Sequence, residues 1–211
     1  MTDLLLEKKQ YRQRIERAVK NDDSHPINNG VKMQAHHLLS AKGVQLASLG
    51  NDLKKLGYDI NVLENLVLLP YSLQAACHMN VQLHRGDHRD SDADHPFTYH
   101  ERVKIELAKI EQFIDACKGC GSGAETERTR KRVQAKLDQK SKILLLLIKK
   151  YKVKLTRISK DFEAGARGCG GRTGVSESPL DACPYHRDHS DDQSAGFKSA
   201  ISRNYKLQVG R

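Results

Sequence analysis

A chain of 211 residues with 38% apolar content, 5% aromatics and no Trp has material for one domain or two small ones around a modest core, which excludes a large sheet protein. A formal charge of +10 and a pI near 9.4 favour a polyanionic partner. That charge is lopsided: residues 1–115 carry 15 Lys and Arg against 16 Asp and Glu, a net of −1, whereas residues 116–211 carry 21 against 10, a net of +11. The run Ile143–Ile148 is apolar for only six residues between lysines, far short of a membrane span. Met1–Glu7 has too short an apolar run and too early an acid for a signal peptide, so a soluble protein is expected.

Leu4, Leu5, Tyr11, Ile15 and Val19 recur at helical spacing and predict a helix over residues 1–21. Asn21–Pro26 breaks it, and Asn28-Asn29-Gly30 is a turn. Val31–Ser40 reads as a strand or extended segment carrying Gln34-Ala35-His36-His37. Gln45–Leu56 reads as a helix ended by Gly57, and Asn65–Leu69 as a short strand stopped by Pro70. Helices are expected over 71–83 and 97–116, with the acidic loop 87–94 between them. Two further helical stretches, 125–139 and 141–163, lead into a Gly-rich segment and about forty polar, loop-like residues.

The chemistry-bearing residues cluster in that order. Hydrolysing a phosphodiester needs an activated water and a Lewis acid on the phosphate, and histidine serves as base near neutral pH. Consecutive residues of a strand face opposite sides, so His36 and His37 suit a division of labour better than shared ligation. Downstream stand Asn65 and the string His84-Arg85-Gly86-Asp87-His88, with His78 before it and His95 and His100 after. Cys117-x2-Cys120 has metal-knuckle spacing, and Cys169 with Cys183 completes four thiolates for a structural Zn²⁺. His186 or His189 in place of one thiolate, disulfides in an exported protein, and unrelated thiols are the alternatives; Cys77 reads as a small buried residue. An unbroken helix over 125–163 would hold the two cysteine groups about 58 Å apart at roughly 1.5 Å per residue. A turn near 138–142 would instead bring Cys120 back beside Cys169, giving a zinc-stapled helical hairpin. Between residues 128 and 160 stand thirteen Lys and Arg and one acid, Asp138; Arg85, Arg128, Arg130, Lys131, Arg132 and Lys136 are candidates to hold a phosphate backbone without reading sequence.

Ala35-His36-His37, the approach Gly57-Tyr58-Asp59-Ile60-Asn61 to Glu64-Asn65, Leu69-Pro70, the His84/His88 element and Tyr99-x3-Val103 together resemble the AHH branch of the HNH, or ββα-metal, nuclease superfamily. The likeness covers about residues 30–115. It implies a small ββα-metal nuclease core (26–116); together with the periodicity and cysteine spacing above, the expected fold is mainly α, with an N-terminal helix and linker (1–25) before that core and a basic helical hairpin with a polar tail and a four-cysteine zinc site (117–211) after it. It implies His37 as general base, His36 as a metal ligand, and Asn65 as the residue that orients the histidine-bearing loop. His84, then His88, then His78 are the candidates for the further ligands. The acidic stretch 89–94 interrupts the family pattern, leaving His88 or His95 for its last histidine.

The resemblance further implies a largely non-specific DNA endonuclease using Mg²⁺, Ni²⁺ or Zn²⁺. It would be a polymorphic toxin or effector, made in the bacterial cytoplasm, delivered into the cytoplasm of a target cell and neutralised by a cognate immunity protein. The alternatives are a housekeeping or phage nicking endonuclease, an RNase, and an inert zinc-stabilised DNA-binding protein.

Overall fold

The computed structural model describes residues 10–84, 88–118, 124–156 and 205–211, with backbone only at 73–74, 78, 117–118 and 124–126. They form a mostly helical protein around a two-stranded antiparallel sheet. Among them no helix is long and apolar enough to cross a membrane. The chain runs α1 (Gln10–Val19), β1 (Met33–His37), α2 (Ala41–Leu46), α3 (Gly50–Lys55), β2 (Leu66–Pro70), α4 (Leu73–Met79), α5 (Tyr99–Ala108), α6 (Glu111–Lys118) and α7 (Ala124–Lys149).

The register pairs Met33 with Pro70 and His37 with Leu66. The Leu38 N–H donates to the Asn65 carbonyl and the Tyr71 N–H to Lys32, so even-numbered residues of β1 turn their backbone toward β2. Residues 33, 35 and 37 turn theirs outward. On the far edge of β2, Leu68 donates to the Arg211 carbonyl (2.8 Å), Gly210 donates to Leu66 (2.7 Å), and the His84 N–H donates to Pro70 (2.9 Å). Every residue of β2 is buried, which explains its unbroken apolar run. Residues 205–211 have no regular secondary structure, as expected, and lie along this edge. Leu207 is buried, Tyr205 and Val209 pack on the core, and Arg211 pairs with Asp22. Their period-2 alternation, Tyr205-Leu207-Val209, is the signal that a short polar context hides.

Three helical expectations are corrected. The helix read over 45–56 is two helices, because Ser48 adopts a left-handed conformation (φ 59°) between them. Its first half starts earlier, at Ala41, where Ser40 accepts from the Gly43 N–H (3.1 Å) as N-cap. The helix read over 97–116 starts on a capping box, Thr98 with Glu101, and breaks after Ala108. At that break Lys109 folds back on the buried Glu106 carboxylate (2.6 Å), which Arg102 and Lys140 also approach.

The third correction is the larger. No hairpin turn exists at 138–142: α7 is one helix from Ala124 to Lys149, and Gln134 donates to Asp138 (2.6 Å) in the turn that leads into the expected bend. Val133, Leu137, Leu144, Leu145 and Ile148 form one buried stripe that joins the same core as β1, β2 and α5. Lys140 and Ser141 interrupt that stripe in sequence, yet both are buried, facing Glu106 and Asn65.

The crossing of α2 over α5 is close enough to test. A Cβ on Gly43 would stand 2.4 Å from Val103 Cγ1 and 2.5 Å from its Cβ. Gly43→Ala is therefore expected to destabilise the protein by about 1–3 kcal/mol, since neither backbone nor a β-branched Cβ yields cheaply. A urea titration measures it, and an unchanged midpoint would refute the close crossing.

Candidate metal centre

Strand alternation sends His36 inward from β1 toward α5, while His37 faces the other side. The segment after α4 delivers His84, anchored by its backbone N–H on Pro70, and His88 follows four residues on. His88 sits at φ 61°, a left-handed conformation that histidine adopts more readily than most residues. Tyr99, wholly buried at the start of α5, packs its ring on His36 (4.8 Å) and His88 (5.6 Å) and donates its hydroxyl to the Leu38 carbonyl (2.7 Å). One ring nitrogen from each of His36, His84 and His88 gathers within 4.8 Å of the others.

The outward ring nitrogens determine what the inner ones can do. His84 Nδ1 lies 3.0 Å from Gln34 Oε1 and His88 Nδ1 lies 2.9 Å from the Leu155 carbonyl, so each donates an N–H outward. Both Nε2 atoms are then lone-pair acceptors, 3.2 Å apart, and His36 Nδ1 stands 2.9 Å from His84 Nε2. Two facing lone pairs repel unless a cation sits between them. Bonds of about 2.0–2.1 Å to a shared ion, at angles between about 90° and 110°, would place neighbouring nitrogens about 2.8–3.4 Å apart, which these separations match. Gln34 and the Leu155 carbonyl are the outer partners that fix ligand tautomers at such sites. The three residues therefore fit a divalent ion.

Electrostatics agree with that fit. Burial pushes His84 down to about 3, with His88 adding to the effect. Burial, followed by the neighbouring His84, His88, His37 and His100, holds His36 well below the ordinary histidine value. Both are neutral, with lone pairs available, across the physiological range.

His37 has its own network. Its Nε2–H donates to Asn61 Oδ1 (2.9 Å), which leaves Nδ1 as the basic atom. Asn61 is held by Asp59, whose Oδ1 accepts the Asn61 N–H (2.8 Å), and Arg14 of α1 binds both Asp59 Oδ2 (2.8 Å) and the Asn61 carbonyl (2.6 Å). Burial lowers the His37 pKa, and Asn61 and Asp59 pull it partly back. Tyr11 of α1 packs on the imidazole at 4.4 Å.

Asn65, wholly buried, spends its whole amide on structure. Oδ1 accepts from the Leu39 N–H (2.6 Å) and the Ser141 hydroxyl (3.0 Å), and Nδ2 donates to the carbonyls of Leu39 (3.1 Å) and Ile60 (2.8 Å).

Other sequence candidates are placed elsewhere. His95 faces Asp92 Oδ1 (3.0 Å) and the Tyr151 carbonyl (2.8 Å), apart from the cluster. His100 meets Ser40 Oγ (2.9 Å), with its ring 5.7 Å from His88. Cys77 is buried. Arg128, Arg130, Lys131, Arg132 and Lys136 are exposed along α7. Arg85, Cys120, Cys169, Cys183, His186, His189 and the side chains of His78 and Cys117 lie outside the described residues. α7 runs through 138–142 without the turn expected there, and the cysteine side chains of the expected zinc site lie outside the described residues.

Sequence reasoning overlooked Gln34, Asn61, Ser141 and Tyr11. Gln34 sits two residues before His36, on the same strand face, and that spacing was the available signal. Asn61 stands in the Gly57–Asn61 approach that carries the family likeness, without a role assigned to it there, whereas Tyr11 and Ser141 come from distant segments and left no signal.

No curated protein and no solved structure matches the chain. A model of the AHH family, described as a nuclease family of the HNH/endonuclease VII superfamily with conserved Ala-His-His, matches residues 17–138, more than half of the chain and including Ala35-His36-His37. The chain belongs to this nuclease family.

Proposed function

We propose that the protein is a metal-dependent DNA endonuclease, with His36, His84 and His88 holding the ion and His37 acting as general base. The observation that carries the reading is the meeting of three imidazole nitrogens, two of which are lone-pair acceptors because their outer nitrogens donate elsewhere. A divalent ion bound there supplies Lewis-acid stabilisation of charge on the phosphoryl and departing oxygens.

The chain's own residues do the rest. His37 Nδ1 takes a proton from water as the water oxygen bonds to phosphorus, and the P–O ester bond breaks with its oxygen protonated from solvent. Asn61, held by Asp59 and Arg14, keeps the imidazole in the tautomer that leaves Nδ1 basic. Asn65 holds the backbone at Leu39, two residues beyond His37, and so sets the orientation of the pair. The exposed Lys and Arg of α7 bind phosphates without reading bases. The biological setting is an antibacterial effector with an immunity protein; the support is the likeness of the histidine motifs to the toxin branch of the family, and an acidic inhibitor would complement the +11 half of the chain.

Plasmid cleavage with Mg²⁺, Mn²⁺, Ni²⁺ or Zn²⁺, and with EDTA as control, tests this directly. His37→Ala is expected to lose about 10²- to 10⁴-fold in rate while still binding metal. Cutting at the wild-type rate by that variant would remove His37 as base. A wild-type protein that cuts no nucleic acid with any of these ions would end the nuclease assignment.

A further inference from the structure

α1 forms one wall of a cleft of about 590 Å³ whose other wall is the open edge of β1 and whose depth reaches His84. Tyr11, Arg12 and Glu16 contribute from the helix, and Gln34 and Ala35 from the strand. Among the described residues this edge has no strand partner: the Ala35 backbone faces away from β2, as the register requires. The cleft joins both halves of the candidate centre, because Tyr11 packs on His37 and Gln34 holds His84. Residues 11–16 precede the stretch that matches the family model, so this wall is a feature of this chain outside that match.

Two arginines of α1 stand near the site, and they differ in commitment. Arg14 is engaged with Asp59 and the Asn61 carbonyl. Arg12 places its Nε–H on Glu16 Oε1 (2.7 Å), an exposed i,i+4 pair whose energy is small. That bond directs the Nη1/Nη2 edge of the guanidinium away from the carboxylate. A planar pair of N–H donors is the geometry that takes a phosphodiester through two oxygens.

We infer that this cleft is the track of the nucleic-acid strand and that Arg12 is its phosphate clamp, aimed by Glu16. The inference rests on the nuclease reading for the identity of the strand, but its test does not depend on cleavage. The strand runs along the β1 edge past Gln34 to the histidines, and Arg12 positions it from the opposite wall.

The experiment is fluorescence anisotropy of a labelled DNA duplex in EDTA across a series of NaCl concentrations, together with a photocrosslinking residue in place of Gln13, which also lines the cleft. Arg12→Ala is expected to weaken binding about fivefold to tenfold and to reduce the slope of log K against log[salt] by about one. Arg12→Lys should recover the slope with lower affinity, because the charge returns without the fork. Glu16→Gln should tighten binding by removing a like charge. The residue at 13 should crosslink to the strand. An unchanged salt slope in Arg12→Ala, or no crosslink at 13, overturns the clamp. A wild-type protein that crosslinks and binds in this way yet cuts nothing with added metal would defeat the nuclease reading and leave the cleft assignment standing.

Discussion

His84→Ala is expected to abolish tight divalent-metal binding and to reduce cleavage by about 10³-fold or more. His84 is the middle member of the cluster: its Nε2 faces both His36 Nδ1 (2.9 Å) and His88 Nε2 (3.2 Å). Removing it leaves two imidazoles in place of three, and it strips Gln34 of its partner. Loss of an outer partner alone typically costs about 10–100-fold in metal affinity, so loss of a coordinating nitrogen should cost more. Calorimetric titration of wild type and variant with Ni²⁺ or Zn²⁺ measures this. Thermal unfolding gives an independent readout, because an ion that binds only the folded state at 100 times its Kd adds about 2.7 kcal/mol. Metal should raise the Tm of the wild type and not of His84→Ala; equal shifts in both would show that the ion binds elsewhere.

The second large effect belongs to Asn65, which touches no substrate. Its amide makes four hydrogen bonds in a fully buried site, and replacing it with Leu leaves the Leu39 N–H and the Ile60 carbonyl without that partner. Each buried group left unsatisfied costs about 1–3 kcal/mol, so a loss of about 3–5 kcal/mol is expected. For a chain of this length that is a fall in Tm of about 10–15 °C. Ser141→Ala removes one of the four bonds and should cost only about 1 kcal/mol. The ranking is the test: Tm values for the two variants that fall together, or both near wild type, would contradict the role of Asn65 as the pin between the histidine strand and α7.

Several elements are legible from residues near one another in sequence. The two strands announce themselves, β1 by its short apolar frame around the histidines and β2 by an unbroken apolar run that Pro70 closes. The start of α5 is equally plain, because Thr98 and Glu101 form a capping box at the expected spacing. Strand periodicity alone separates His36 from His37, and the structure puts them on opposite faces of β1. The choice among His78, His84, His88 and His95 was open on spacing, since loops of unknown path separate them from His36. The chain after α7 supplies partners for two of them, Leu155 offering a carbonyl to His88 and Tyr151 one to His95, and both come from residues far away in sequence.

Local pattern determined this protein's strand pair, its histidine doublet, the start of α5 and the basic character of its second half, because each depends on residues close together in the sequence. Tertiary structure alone decided that α7 is continuous, that residues 205–211 cover the edge of β2, and that Gln34, Asn61 and Ser141 hold the site. The physical reason is common to all of these. A polar residue such as Lys140 or Ser141 reads as a break until its buried partner is known, and those partners, Glu106 and Asn65, lie 34 and 76 residues away along the chain.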